Sequence, residues 1–98
     1  MKILSMNIRG FGGLPKHNSL VSLFSYLCPD MILLQETMCP FSQSLILFSK
    51  IKPRWEYCAL DVDGLSGGLL AGWNPLLVWV KAFSSLAGII LRVNVKRI

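Results

Sequence analysis

Met31-Ile32-Leu33-Leu34 is apolar at every position and runs straight into Gln35-Glu36-Thr37. A strand with one wet face alternates apolar and polar residues; one that does not alternate is covered on both faces, the pattern of a parallel sheet sheathed by helices. The residues before it complete the unit. Lys2 to Ile8 reads as a strand, with Ile3, Ser5 and Asn7 on one face and Leu4, Met6 and Ile8 on the other. Arg9 to Leu14 is a loop whose glycines, Gly10, Gly12 and Gly13, allow a sharp turn. Pro15 suits the first turn of a helix, and Leu20, Leu23, Phe24 and Leu27 then form one apolar stripe before Cys28-Pro29-Asp30 ends it. Strand, helix, strand is a βαβ crossover. Such crossovers are right-handed in about 98% of cases, which sets the carboxyl ends of both strands on one edge of the sheet. Asn7 and Glu36 are the polar residues at those ends, and crevices beyond such ends are where open α/β sheets bind ligands.

The rest of the chain reads differently. Ser42 is placed to cap a second helix with apolar positions Leu45, Phe48 and Ile51, ending before Pro53. Trp55 to Asp61 reads as a strand, and Asp63-Gly64 with Ser66-Gly67-Gly68 as a turn. Leu69 to Trp73, Leu76 to Phe83 and Gly88 to Val95 follow as strands whose tight connections favour antiparallel neighbours. The fold class is therefore α+β, with a βαβ start and mainly antiparallel strands after it.

Composition bounds what this can be. Ninety-eight residues make one small domain, and 53% hydrophobic residues exclude disorder. A charged share of 15% lies below the roughly 25% of ordinary domains, so more apolar surface is expected than a small body hides. Cys28, Cys39 and Cys58 are too far apart for a zinc site and odd in number, which reads as three reduced thiols inside a cell. Asn7 and Arg9 interrupt the N-terminus before any apolar run of signal-peptide length, so secretion is not expected; nucleus or cytoplasm is. Gly64 to Val80 carries no charge, yet its glycines, Asn74 and Pro75 divide it into strand-length runs, and no membrane span is expected.

Taken alone, Glu36 is either a surface carboxylate at a strand end or a ligand for a hard cation, since Mg²⁺ is often held by one or two carboxylates. Asn7 is either a turn former or a phosphate contact. Their local wording narrows the choice. The opening Met1 to Gly13, the run Pro29-Asp30-Met31-Ile32-Leu33-Leu34-Gln35-Glu36-Thr37 and the block Gly64-Leu65-Ser66-Gly67-Gly68-Leu69-Leu70-Ala71-Gly72-Trp73 resemble, in order, the endonuclease/exonuclease/phosphatase superfamily, the DNase I-like fold. The wording is closest to the endonuclease domains of plant LINE-type non-LTR retrotransposons, which usually carry Trp where this chain has Met6.

The resemblance implies the N-terminal portion of a four-layer α/β sandwich over residues 1–98, and a Mg²⁺-dependent DNA phosphodiester hydrolase in which Mn²⁺ is an alternative metal. It implies Glu36 as the metal ligand and Asn7 as a holder of the metal and phosphate. Arg9, which leaves the strand beside Asn7, is the expected nucleic-acid contact. The superfamily's Asp-x-Asn pair and terminal Asp-His, which supplies the base, have no counterpart here. Asp61-Val62-Asp63 precedes the Ser-Gly-Gly turn and does not match, and His17, the one histidine, has no expected catalytic role. Activity of these residues alone is therefore not expected, and the missing half of the sandwich, or another chain, is expected to cover the apolar sheet surface. A net charge of +5 agrees with a DNA partner. The rivals are a basic nucleic-acid-binding module without catalysis and a gene remnant without selected function.

Overall fold

The computed structural model describes residues 1–10, 13–61, 68–85 and 88–96. In chain order the elements are β1 (Ile3–Asn7), α1 (Gly13–Leu27), β2 (Met31–Gln35), α2 (Phe41–Ile51), β3 (Glu56–Leu60), β4 (Leu69–Trp73), β5 (Val78–Ser85) and β6 (Gly88–Val95). Four strands form one sheet in the order β1-β2-β4-β3, and β5 pairs with β6 as a separate antiparallel ribbon. β1 and β2 run parallel with Asn7 opposite Gln35, while β4 lies antiparallel between β2 and β3. The βαβ unit and the alignment of its two carboxyl ends are thus as the sequence predicts.

Each face of the sheet has its own core. The helices cover one face, where Ile8, Leu20, Phe24, Ile32, Leu34, Phe48 and Leu70 are buried together and Leu4 and Met6 pack against them. On the other face Met31, Ala71, Trp73 and Val78 are buried against Val80, Leu91 and Val93 of the ribbon. A strand shared between two cores has no polar side, which is why β2 and β4 read as unbroken apolar runs. The ring of Phe48 lies 5.9 Å from that of Phe24 and 5.6 Å from that of Tyr57. Burying each phenylalanine contributes about 1.5–3 kcal/mol. Tyr57 stands opposite Gly72, where a Cβ would come within 2.6 Å of its ring, so glycine makes room for the ring across the sheet. Its hydroxyl donates to the Lys52 and Phe48 carbonyls at 3.0 and 3.3 Å, tying β3 to the end of α2. Burial pushes the Tyr57 hydroxyl and the Cys58 thiol up from their ordinary pKa values.

The end of the sheet opposite the candidate site is closed by Lys2. Its backbone N–H donates to Asp30 Oδ2 at 2.7 Å, and its ammonium to the Leu27 carbonyl at 2.6 Å, where a cation meets the orphan carbonyls of the α1 C-terminus.

Expectations for two segments are corrected. Leu69–Trp73 and the next strand are not neighbours. Asn74 donates its backbone N–H to the Asp30 carbonyl at 3.0 Å, and its Oδ1 accepts from Leu76 N–H at 3.0 Å. That turn carries the chain to the second layer, so β5 begins at Val78 instead of Leu76. Ser42 does not cap α2: the N-cap is Pro40, and no side chain caps the helix. The buried face of α2 is Ser44, Leu47, Phe48 and Ile51, with Leu45 turned outward. Trp73 is buried as a core tryptophan, whereas Trp79 is 64% exposed on the ribbon's outer side. The three cysteines are free. Among the described residues no helix is long and apolar enough to cross a membrane. The uncharged stretch contributes β4 and the start of β5, and its residues 64–67 lie outside the described ones.

Candidate metal and phosphate site

Parallel pairing carries β1 and β2 past their formal ends. Ile8 N–H donates to the Gln35 carbonyl at 3.1 Å and Gly10 N–H to the Glu36 carbonyl at 2.7 Å. Asn7 and Glu36 are therefore held side by side on one edge. Asn7 Oδ1 accepts the Arg9 N–H at 3.1 Å, closing an Asx turn that starts the loop. Both rival readings of Asn7 remain compatible with that bond, because its NH₂ and the second lone pair of Oδ1 are still available to a ligand. Asn7, Arg9 and Glu36 are all exposed.

The residue after Glu36 is anchored to the segment that leads into β4. Thr37, 3% exposed, donates its backbone N–H to the Gly68 carbonyl at 3.2 Å. A Cβ on Gly68 would lie 2.2 Å from Thr37 Oγ1, so the glycine at the end of the Ser-Gly-Gly block is needed for this contact. Arg9, Gly10, Glu36, Met38 and Gly68 all have φ between +49° and +98°. Left-handed backbone at non-glycine residues costs free energy, and it collects where the surrounding structure imposes it, often at functional sites.

Lys16 is a participant that sequence reasoning missed. From the first turn of α1 its ammonium donates to the Ile8 carbonyl at 2.7 Å and reaches the Arg9 carbonyl at 3.4 Å. The available signal was its position: a lysine at a helix N-terminus opposes the macrodipole and so calls for a partner elsewhere. Arg9, Gly10, His17, Met38, Gln43 and Leu47 line a cleft of about 490 Å³ on this edge.

The donors suit a hard cation. One exposed carboxylate and an amide oxygen match the oxygen ligands of Mg²⁺, which keeps several waters and takes substrate phosphate oxygens as further ligands. Among the described residues no three of His, Cys, Asp and Glu gather into a closed metal cage.

No protein-family profile and no curated protein matches the chain. Nine chains of solved structures do match. Among them is the crystal structure of a humanized D. rerio TDP2 carrying 14 mutations, with a TM-score of 0.65 and 19% sequence identity. The match covers 97% of this chain and 42% of that one, so the chain spans less than half of its length. The likeness shows the fold: the described residues form two helices and six strands in two sheets that match a fragment of a DNase I-like fold.

Proposed function

We propose that these residues are the metal-binding portion of a phosphodiesterase site that cleaves DNA. Glu36 holds the metal, Asn7 steadies the metal and phosphate, and Arg9 contacts the nucleic-acid backbone. The observation that supports this best is the parallel register that brings the ends of β1 and β2 together, with the Glu36 carbonyl bonded to Gly10 N–H and the next residue, Thr37, anchored to Gly68. The wording of the three motifs favours a LINE-type endonuclease origin within that fold.

A bound Mg²⁺, or Mn²⁺, would polarise a phosphoryl oxygen and stabilise charge that develops on it. The chain's own residues bind and orient. The Glu36 carboxylate supplies the negative charge that attracts the cation, the Asn7 amide offers donors to a phosphate oxygen, and Arg9 neutralises a neighbouring phosphate. Within the 98 residues no Asp-x-Asn pair or Asp-His pair supplies a base. Missing a base and oriented donors costs factors of about 10² or more each, so the 98 residues by themselves are expected not to nick DNA.

Calorimetric titration with Tb³⁺ provides the test, because the lanthanide replaces hard divalent cations at oxygen sites. Wild type is expected to bind Tb³⁺ in competition with Mg²⁺ and Glu36→Gln to lose that binding. Equal binding by both proteins would remove Glu36 from the metal site.

A second reading, a basic module without catalysis, is favoured by charge distribution. Residues 64–98 contain Lys81, Arg92, Lys96 and Arg97 and no Asp or Glu. On the ribbon the Lys96 ammonium lies 3.7 Å from the Trp79 ring centroid. This reading requires salt-sensitive DNA binding that survives EDTA and Glu36→Ala.

A further inference from the structure

The loops after β1 and β2 share two structures: the edge that carries Asn7 and Glu36, and the cleft of about 490 Å³ beside it. Arg9 lies two residues beyond Asn7 and Met38 two beyond Glu36, and both line the cleft. We propose that the cleft is a nucleobase pocket, taking a purine from a nucleic-acid strand whose phosphate sits at the Asn7–Glu36 edge. The proposal rests on the nucleic-acid reading of that edge and assigns it a second subsite.

The lining has the chemistry of base recognition. Gln43 projects from the first turns of α2 with an amide that both donates and accepts, the group that pairs with adjacent amino and ring-nitrogen atoms of a purine, N6 and N7 of adenine or the 2-amino group and N1 of 2-aminopurine. The Arg9 guanidinium offers the planar fork that suits a guanine edge or a phosphate. Met38 and Leu47 supply apolar wall, and a thioether is a favourable neighbour for an aromatic ring. Among the described residues no carboxylate lines the cleft, so none of them repels the phosphates that accompany a base. Its volume falls within the roughly 300–1,000 Å³ of small-ligand pockets. Gly10, at φ +89°, keeps the wall thin: a Cβ there would already be 3.4 Å from Met38 Sδ, so the methionine is packed against the loop that turns away from Asn7.

Gln43 is exposed on a helix, where alanine is the better helix former, so Gln43→Ala leaves the fold intact. The probe is a short single-stranded oligodeoxynucleotide with one 2-aminopurine, titrated in metal-free buffer. Fluorescence is expected to rise as the base leaves its stack, and Gln43→Ala to weaken binding roughly tenfold. The same strand with an abasic site in place of the 2-aminopurine is expected to bind both proteins equally. No fluorescence change, or equal affinity of wild type and Gln43→Ala for the 2-aminopurine strand, overturns the pocket. A free 2-aminopurine nucleotide that binds as tightly as the strand overturns the strand assignment. Repeating the titration on Glu36→Gln separates the two subsites. A persisting 2-aminopurine signal without Glu36-dependent Tb³⁺ binding sinks the cleavage reading and keeps the pocket; the converse sinks the pocket alone.

Discussion

Gly68→Ala is expected to be among the most damaging single-methyl additions in this chain. The first cost is backbone: φ at Gly68 is +98°, where an L-residue pays about 1–2 kcal/mol. The second is steric. The new Cβ would lie 2.2 Å from Thr37 Oγ1, and Thr37 is only 3% exposed, so its hydroxyl cannot swing into solvent. Overpacking of that kind costs about 1–3 kcal/mol, for a total of about 2–5 kcal/mol against a stability of about 5–15 kcal/mol. Urea unfolding followed by circular dichroism reads the loss, and the thermal midpoint should fall by at least about 10 °C. Thr37→Ala removes the clashing oxygen but leaves the backbone cost. The double variant Thr37→Ala/Gly68→Ala should therefore be more stable than the sum of the single losses by about 1–3 kcal/mol. An unchanged midpoint for Gly68→Ala, or strict additivity in the double variant, would refute the proposed contact.

Phe48→Ala empties the centre of the helix-side core and should cost about 3–5 kcal/mol in urea unfolding; a loss under about 1 kcal/mol would mean that Phe48 is not the centre of that core. Tyr57 and Cys58 both have raised pKa values from burial, so their neutral forms favour the fold. Their contribution is complete below the unfolded values, 9.0 for the thiol and 10.0 for the phenol, and is lost as pH rises beyond them. Stability should fall above about pH 9, less steeply in Tyr57→Phe; a flat profile to pH 11 contradicts this. Exposed Trp79, Phe83 and Ile90 on the ribbon should bind anilinonaphthalene sulfonate and promote self-association, both reduced by Trp79→Ser; a dye-silent monomer at high concentration would show that this surface is not sticky.

What could be read from the sequence was what periodicity controls. The change from an alternating strand to a helical stripe to an unbroken apolar run fixes β1, α1 and β2 and places Asn7 beside Glu36. Non-local hydrogen bonds were invisible. The turn at Asn74 looks like a hairpin by length, and only its bond to the Asp30 carbonyl, forty-odd residues back, shows that the chain changes layer. The contact of Thr37 with Gly68 is of the same kind. α2 misled because its start is set by the left-handed Met38 and by Pro40, so Ser42 has no capping role to fill. In β5 the alternating sets are Val78, Val80 and Ala82 against Trp79, Lys81 and Phe83, so Lys81 alone marks the outward set that the two aromatic residues obscure. The Asn7–Glu36 edge was legible; Lys16 and the contact between Thr37 and Gly68 were not.

The order β1-β2-β4-β3 has a consequence for synthesis. The strand that fills the gap between β2 and β3 is the last of the four to leave the ribosome, because β4 ends at Trp73. Until then β2 and β3 each present an open hydrogen-bonding edge, and the first four residues of β2 are all apolar. The ribbon β5–β6, by contrast, closes from neighbouring residues and needs nothing upstream in order to pair. A nascent chain paused before residue 69 is thus an aggregation-prone intermediate, and a few further residues of translation convert it into a closed sheet.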